Sequence, residues 1–243
     1  MTRSKSFFSF AQTNQGKIRK KIRICRTLEE TYNLYCELRT AYLLLQEPKF
    51  ALAYEPAVKE KGRSADFAVT FRTHTPFHVE VTRLTVSQLE QQVLTSEETT
   101  NTAQSSDQTD ALQRNESRRL ADVVCDKIGQ LSAETPNVLW VWSESSVVFG
   151  LDIAQVMLDL KRSVEQRDAV LFSRYGYEKP ADFIRFFQRL SAVFIQDLSV
   201  QGAGHSFIEW QNNDVRHPLP AKVTNHLRLC IAADSSRSFG SVL

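Results

Sequence analysis

Long hydrophobic runs are scarce in this sequence of 243 residues. The longest uninterrupted apolar stretches, at 41–45 and 138–142, have about five residues, far below the ~20 that a transmembrane helix needs. The amino-terminal region also lacks the apolar core of a secretory signal peptide. With 42% hydrophobic and 24% charged residues, the composition predicts a globular cytoplasmic protein without a membrane span.

Cysteine is scarce as well, and the four cysteines form neither a CxxC pair nor a zinc-ribbon spacing. We therefore expect reduced thiols rather than a disulfide scaffold or a structural zinc site. The sequence also lacks the GxxxxGK[ST], GxGxxG, HExxH and GxSxG motifs. Their absence excludes P-loop nucleotide hydrolysis and serine hydrolase chemistry of the usual kinds.

Acidic residues are missing from residues 1–26, which contain eight lysines and arginines, although the whole chain has a net charge of only +2. This composition predicts a basic flexible arm, either a solvated tail, which is the commoner case, or an organellar transit peptide. A basic arm can contact the phosphates of DNA or RNA. The residues predicted to make such contacts are Lys17, Arg19, Lys20, Lys21 and Arg23.

A second biased segment covers residues 86–113, which contain no lysine, arginine, glycine, proline or aromatic residue. Serine, threonine, glutamine and asparagine dominate it, and such a composition buries too little apolar surface to offset the entropy of ordering. Because apolar patterns resume on both sides, we predict a low-complexity insertion within one domain that extends over residues 27–243.

The order of apolar patterns predicts an α/β fold. Thr27 and Glu30 form a capping-box pattern ahead of apolar residues at helical spacing, which indicates a first helix over 28–46. Short apolar runs bounded by turn residues predict strands. The predicted strands are 50–54, 66–71, 77–84, 138–142, 192–198 and 206–210, with further helices at 118–131, from 153, from 180 and after 220. This interleaving predicts a single layered domain with a mixed central β-sheet flanked by helices.

Two carboxylates in neighbouring predicted strands are the strongest candidates for chemistry. Asp66 begins one strand, and Glu80 lies in the middle of the next, which is otherwise largely apolar. A carboxylate in such a strand is costly to bury unless it is paired or binds a cation. Two facing carboxylates are the minimum needed to hold Mg²⁺ or Mn²⁺, which keep several waters and bridge to phosphate oxygens.

The spacing from Asp66 to Glu80-Val81-Thr82, after a leading helix and a short strand, resembles the PD-(D/E)XK nuclease superfamily with its restriction-endonuclease-like fold. The resemblance covers residues 28–143. It implies that Asp66 and Glu80 bind the metal, and that Glu37 matches the further acid that some members place on the first helix. The function it implies is metal-dependent hydrolysis of phosphodiester bonds in DNA or RNA.

The sequence departs from this pattern at Thr82, where the superfamily has a lysine. Lys127 is the predicted substitute, because helical spacing places it in the stripe of Leu120, Val124 and Leu131, and the resemblance gives it the role of orienting the attacking water. Gln130 resembles the glutamine that several branches carry on this helix. The alternative for Lys127 is a side chain that reaches from the helix edge to water.

Two other interpretations stay open. A domain with threonine at this position can keep the nuclease fold as a catalytically silent binding or assembly module. The chain can also be an unrelated α/β protein in which Asp66 caps a turn and Glu80 pairs with an arginine such as Arg118. The sequence predicts no oligomeric state.

Overall fold

The computed structural model describes residues 5–56, 65–93, 106–198 and 207–237. Within these ranges the centre is a six-stranded sheet in the order β1-β2-β3-β4-β5-β6. The strands are β1 (Phe50–Tyr54), β2 (Phe67–Phe71), β3 (Thr75–Leu84), β4 (Asn137–Ser143), β5 (Leu190–Asp197) and β6 (Phe207–Gln211). Strands β3, β4 and β5 are parallel, and the other three neighbouring pairs are antiparallel. The predicted α/β class with a mixed sheet is confirmed, whereas the finer restriction-endonuclease-like assignment stays a prediction.

Helices flank this sheet. They are α1 (Lys5–Thr13), α2 (Gln15–Ile24), α3 (Leu28–Leu44), α4 (Ser106–Ile128), α5 (Ile153–Glu165), α6 (Ala169–Tyr175), α7 (Pro180–Phe187) and α8 (Ala221–Arg237). The predicted capping box begins α3, where Thr27 and Glu30 bond each other's backbone N–H groups. In the described ranges, none of the helices combines the length and the apolar character that crossing a bilayer requires.

The sheet separates two hydrophobic cores. Every residue of β4 is buried, and the alternation of side chains along a strand sends them to opposite faces. Trp140 and Trp142 pack in the core that contains residues of α3 and α8. Leu139 and Val141 pack in the core that contains residues of α4, α5 and α7. The continuous apolar sequence of β4 thus reflects a strand covered on both faces.

Much of the predicted insertion at 86–113 is helical where the structure describes it. Residues 88–93 form a short helical segment, and α4 already begins at Ser106 instead of near 118. Leu112 and Glu116 are buried, and Glu116 receives two hydrogen bonds from Arg119. Residues 106–113 thus belong to α4, because buried side chains such as Leu112 anchor this part of the polar segment. Residues 94–105 lie outside the described part.

The prediction of a flexible basic arm over residues 1–26 is also wrong for the described residues. Residues 5–24 form α1 and α2, and Phe10 is buried against the rings of Tyr54 and Phe67. Phe7 stacks on Phe10 and contacts Tyr42 edge-on. The physical reason is that two phenylalanines three residues apart give α1 an apolar side, which anchors the segment to α3 and β1–β2. The compact unit therefore begins before residue 27.

Candidate active-site cleft

Strand register brings Asp66 and Glu80 to neighbouring positions. Phe67, the first residue of β2, pairs with Val79 of β3, so Asp66 lies across from Glu80 on the adjoining strand. One carboxylate oxygen of Asp66, Oδ2, accepts a hydrogen bond of 2.8 Å from the backbone N–H of Val81. The antiparallel hairpin thus fixes both acids on one short piece of sheet.

Lys127 joins these acids from the helix that packs on β3. Its Nζ lies 2.7 Å from Glu80 Oε1, in an ion pair whose side chains are 23% and 8% exposed respectively. The side chain of Lys127 points inward, as helical spacing predicts. Glu80 does not pair with Arg118, because Arg118 is exposed on α4 and lines a different groove.

Asp66 and Lys127 border one cleft of about 230 Å³, and Glu80 adjoins it through its ion pair with Lys127. Its walls come from α3, the start of β2, the middle of β3 and the end of α4. The lining residues are Asn33, Glu37, Asp66, Val81, Thr82, Arg83 and Lys127. A small polar ligand can enter this space, where it meets two carboxylates, Glu37 and Asp66, and two cations, Arg83 and Lys127.

The electrostatic environment of Asp66 is unusual for a carboxyl group. Burial first, and then the negative charges of Glu80 and Glu37, raise its pKa from the ordinary 3.8 to about 7, against the opposing effects of the Val81 N–H and of Lys127. Carboxylates that share a site resist simultaneous ionisation. Asp66 can therefore hold or release a proton near neutral pH.

Glu37 is held in the wall of the cleft by groups from two elements, β1 and α2. Its Oε2 accepts a hydrogen bond of 2.7 Å from the Tyr54 hydroxyl and lies 2.6 Å from Lys21 Nζ. Lys21 also pairs with Glu55 Oε1 at 2.9 Å. Burial opposes the charge of Lys21, but the hydrogen bonds and charges of Glu37 and Glu55 outweigh it and raise the pKa of the lysine above its usual value. Lys21 therefore brings a permanent positive charge to the acidic side of the cleft.

The predicted nucleic-acid-binding residues divide into two groups. Lys17 and Lys21 face the protein, and Lys17 Nζ donates to the carbonyl oxygens of Tyr54 and Glu55. These two lysines fasten α2 to the end of β1, which corrects their prediction as free phosphate contacts. The other three predicted residues, Arg19, Lys20 and Arg23, are exposed.

The remaining predicted positions differ in outcome. Thr82 is half-buried and lines the cleft at the position where the superfamily has its lysine. Gln130 lies beyond the end of α4, and its side-chain amide donates to the carbonyl of Asp126. It is not among the residues that line the cleft, because the helix ends two residues before it and the chain turns away.

The donor set of the cleft fits a hard divalent cation in type. Asp66 and Glu80 offer carboxylate oxygens on adjoining strands, and a bound cation would offset both the burial and the repulsion from Glu80 that raise the pKa of Asp66. Mg²⁺ needs only one or two carboxylates when water and phosphate complete its shell. Across the described ranges no group of three or more His, Cys, Asp or Glu side chains is arranged to hold a metal, so the fit rests on this pair.

Sequence reasoning missed the part that α2 and β1 take in the cleft. Tyr54, Glu55 and Lys21 all contact the acidic wall. Two features of the sequence indicate this contribution. Lys17 and Lys21 are four residues apart and therefore share a helical face, and Tyr54 lies at the end of a short strand. Neither signal indicates which acid these groups contact, because that depends on the packing of α1.

Comparison with known proteins identified no relative of this chain. No protein-family model matches the chain, and no curated protein or solved structure matches it either. The resemblance to the PD-(D/E)XK superfamily therefore stays a prediction from the motif, and the function has to be argued from the cleft itself.

Proposed function

We propose that this protein is a divergent metal-dependent nuclease that hydrolyses phosphodiester bonds of DNA or RNA. The observation that carries the proposal is that Asp66 and Lys127 line one cleft, with Glu80 across the hairpin from Asp66 and in an ion pair with Lys127. An acid in a buried strand and a lysine in an apolar helical stripe are each expensive to bury alone. Their juxtaposition supports a site that handles both a cation and an anion.

Each side chain has a distinct task in this proposal. Asp66 and Glu80 would hold Mg²⁺ or Mn²⁺, which when bound supplies charge stabilisation at phosphate and lowers the pKa of water. Lys127 neutralises Glu80 and offers its ammonium to a phosphate oxygen that enters the cleft. Asp66, with its pKa of about 7, loses its proton readily when positive charge approaches. Thr82, on the same edge of β3, leaves room where a strand lysine would stand.

The direct test is a cleavage assay on labelled single-stranded and double-stranded DNA and RNA with Mg²⁺, Mn²⁺ or EDTA. Asp66→Asn and Glu80→Gln each remove one negative charge at nearly constant shape, and we expect a rate loss of roughly 100-fold or more for each. Asp159→Asn is the matched control, because Asp159 is an exposed aspartate on α5. Cleavage that survives Asp66→Asn and Glu80→Gln at the unchanged rate would refute the proposal.

A second candidate function is a catalytically silent module with the same cleft. The observation that favours it is charge balance, since Lys127 already neutralises Glu80 and Lys21 already neutralises Glu37. A site whose acids are paired with fixed lysines has less need of a metal. Thermal unfolding with and without Mn²⁺ separates the two candidates. If the cleft binds metal, Mn²⁺ should raise the Tm of the natural protein but not that of Asp66→Ala. If the protein is a silent module, Mn²⁺ should raise the Tm of neither protein.

A further inference from the structure

A stripe of large apolar side chains faces solvent along α3. We call Leu28, Tyr32 and Tyr35 the exposed stripe, since these side chains are 74%, 42% and 47% exposed. Their spacing of four and three residues puts them on one side of the helix, and a rise of 1.5 Å per residue spreads them over roughly 10 Å. Three neighbouring large apolar side chains left in water mark a binding surface more often than a plain exterior.

The exposed stripe lies at the rim of the cleft. The guanidinium of Arg83 is 5.2 Å from the ring centroid of Tyr32, and Arg83 lines the cleft together with Asn33 of α3. The Arg83 side chain is only 6% exposed. Its Nη1 donates to Glu144, but its Nε is buried and has no hydrogen-bond partner within the described part of the chain. A buried, partly unsatisfied guanidinium beside an aromatic ring is a suitable receptor for an anionic ligand that also carries a flat ring.

The charges around the stripe favour a polyanion. We call Arg19, Lys20 and Arg23 the basic face, because they are exposed on the side of α2 away from its anchoring lysines. Helix α2 ends at Ile24, four residues before the stripe begins, so the basic face and the stripe lie on consecutive helices joined by a short connection. Two acids, Glu29 and Glu30, follow Leu28 in the first turn of α3. Glu30 accepts hydrogen bonds from the backbone of Arg26 and Thr27, so Glu29 is the acid that the three cations of the basic face outweigh.

We infer that the exposed stripe and the basic face bind single-stranded nucleic acid and lead it into the cleft. Unpaired bases can stack on tyrosine rings, whereas a duplex hides its bases from such a surface. The lysine and arginines of the basic face contact the backbone phosphates without sequence preference. This inference rests on the proposed function for the role of the cleft, but the binding itself requires neither metal nor hydrolysis.

The experiment measures binding of the full chain to fluorescent oligo(dT), oligo(U) and a DNA duplex of equal length, all in EDTA. We expect both single strands to bind more tightly than the duplex. Tyr32→Ala and Tyr35→Ala should each weaken single-strand binding about 5-fold or more, and the corresponding phenylalanine variants should bind normally, because phenylalanine keeps the stacking surface. The control is Leu229→Ala, which removes an exposed apolar side chain from α8.

Salt dependence gives a second, independent readout. Replacing Arg19, Lys20 and Arg23 together by glutamine should reduce the slope of log affinity against log salt by up to about 2, since each phosphate contact contributes ~0.7 for a single strand. The tyrosine variants should leave that slope unchanged. Stacking and charge are thereby measured separately on the same surface, and thermal unfolding checks that every variant folds.

The outcomes decide the two proposals separately. Equal binding of duplex and single strand, or tyrosine variants that bind normally, overturns the inference whatever the cleavage assay gives. If instead the chain self-associates through Tyr32 and Tyr35 and binds no oligonucleotide, the exposed stripe is a protein contact and the inference is wrong. Single-strand binding with the expected losses, but without cleavage in Mg²⁺ or Mn²⁺, supports the inference and refutes the hydrolytic function.

Discussion

Replacing Asp66 by asparagine should stabilise the protein at neutral and alkaline pH. The carboxyl group has a pKa of about 7 in the folded protein instead of 3.8, so the folded state holds a proton that the unfolded state has already lost. Between these two values the unfolded chain binds fewer protons, and the free energy of unfolding therefore falls as pH rises. The full displacement corresponds to at most ~4 kcal/mol. Asparagine keeps an acceptor oxygen for the Val81 N–H but carries no charge.

The measurement is urea unfolding of both proteins at several pH values from 4 to 8. We expect near-equal stabilities at pH 4, where the folded carboxyl group is protonated, and an advantage of about 1 to 4 kcal/mol for Asp66→Asn at pH 8. His78, whose pKa is lowered by burial, titrates in both proteins and cancels in the difference. Asp159→Asn serves as the control that shows no such trend. A variant that is equally stable or less stable at pH 8 would contradict the reasoning about the cleft.

Three further substitutions test other parts of the structure. Phe10→Ala should weaken the docking of α1 by up to about 3 kcal/mol, and limited proteolysis should then cut within residues 5–24 first; resistance to protease would show that the helices are held otherwise. Lys127→Met should cost about 2 to 3 kcal/mol in urea unfolding at pH 8, because it leaves Glu80 buried without a partner, and adding Glu80→Gln should recover much of the loss. Lys21→Met should increase the Tm rise that Mn²⁺ produces, since Glu37 becomes open to a cation; a smaller rise would contradict competition between this ammonium and metal.

The parts of the fold that were predictable are those in which local pattern and burial agree. The strand at Phe50–Tyr54 was predicted at its observed bounds, and the predicted bounds of β3, β4 and β5 differ from the structure by at most two residues at either end. A short, continuous apolar sequence between turn residues favours a buried strand over other secondary structure. The inward direction of Lys127 followed from helical spacing for the same reason, because the stripe around it is strongly apolar.

The parts that were missed depend on contacts between distant segments. Nothing local in the basic sequence of α2 shows that Lys21 meets Glu37 and Glu55, because that contact exists only when Phe10 is packed against the ends of β1 and β2. Likewise the polar start of α4 becomes helical because Leu112 is buried. Composition gives the average polarity of a segment, whereas one or two buried side chains determine whether the segment packs against the rest of the protein.

The β2–β3 hairpin also affects the order in which the cleft assembles during folding. Asp66 and Glu80 are brought together by antiparallel pairing of strands that are close in sequence, whereas Lys127 follows Glu80 by 47 residues. Contacts of short sequence separation generally form with a smaller loss of chain entropy. In a hairpin that forms first, the two acids face each other before the compensating lysine arrives. We therefore expect like-charge repulsion to slow early folding of this hairpin wherever both carboxyl groups are ionised, and acid that protonates one of them to relieve it.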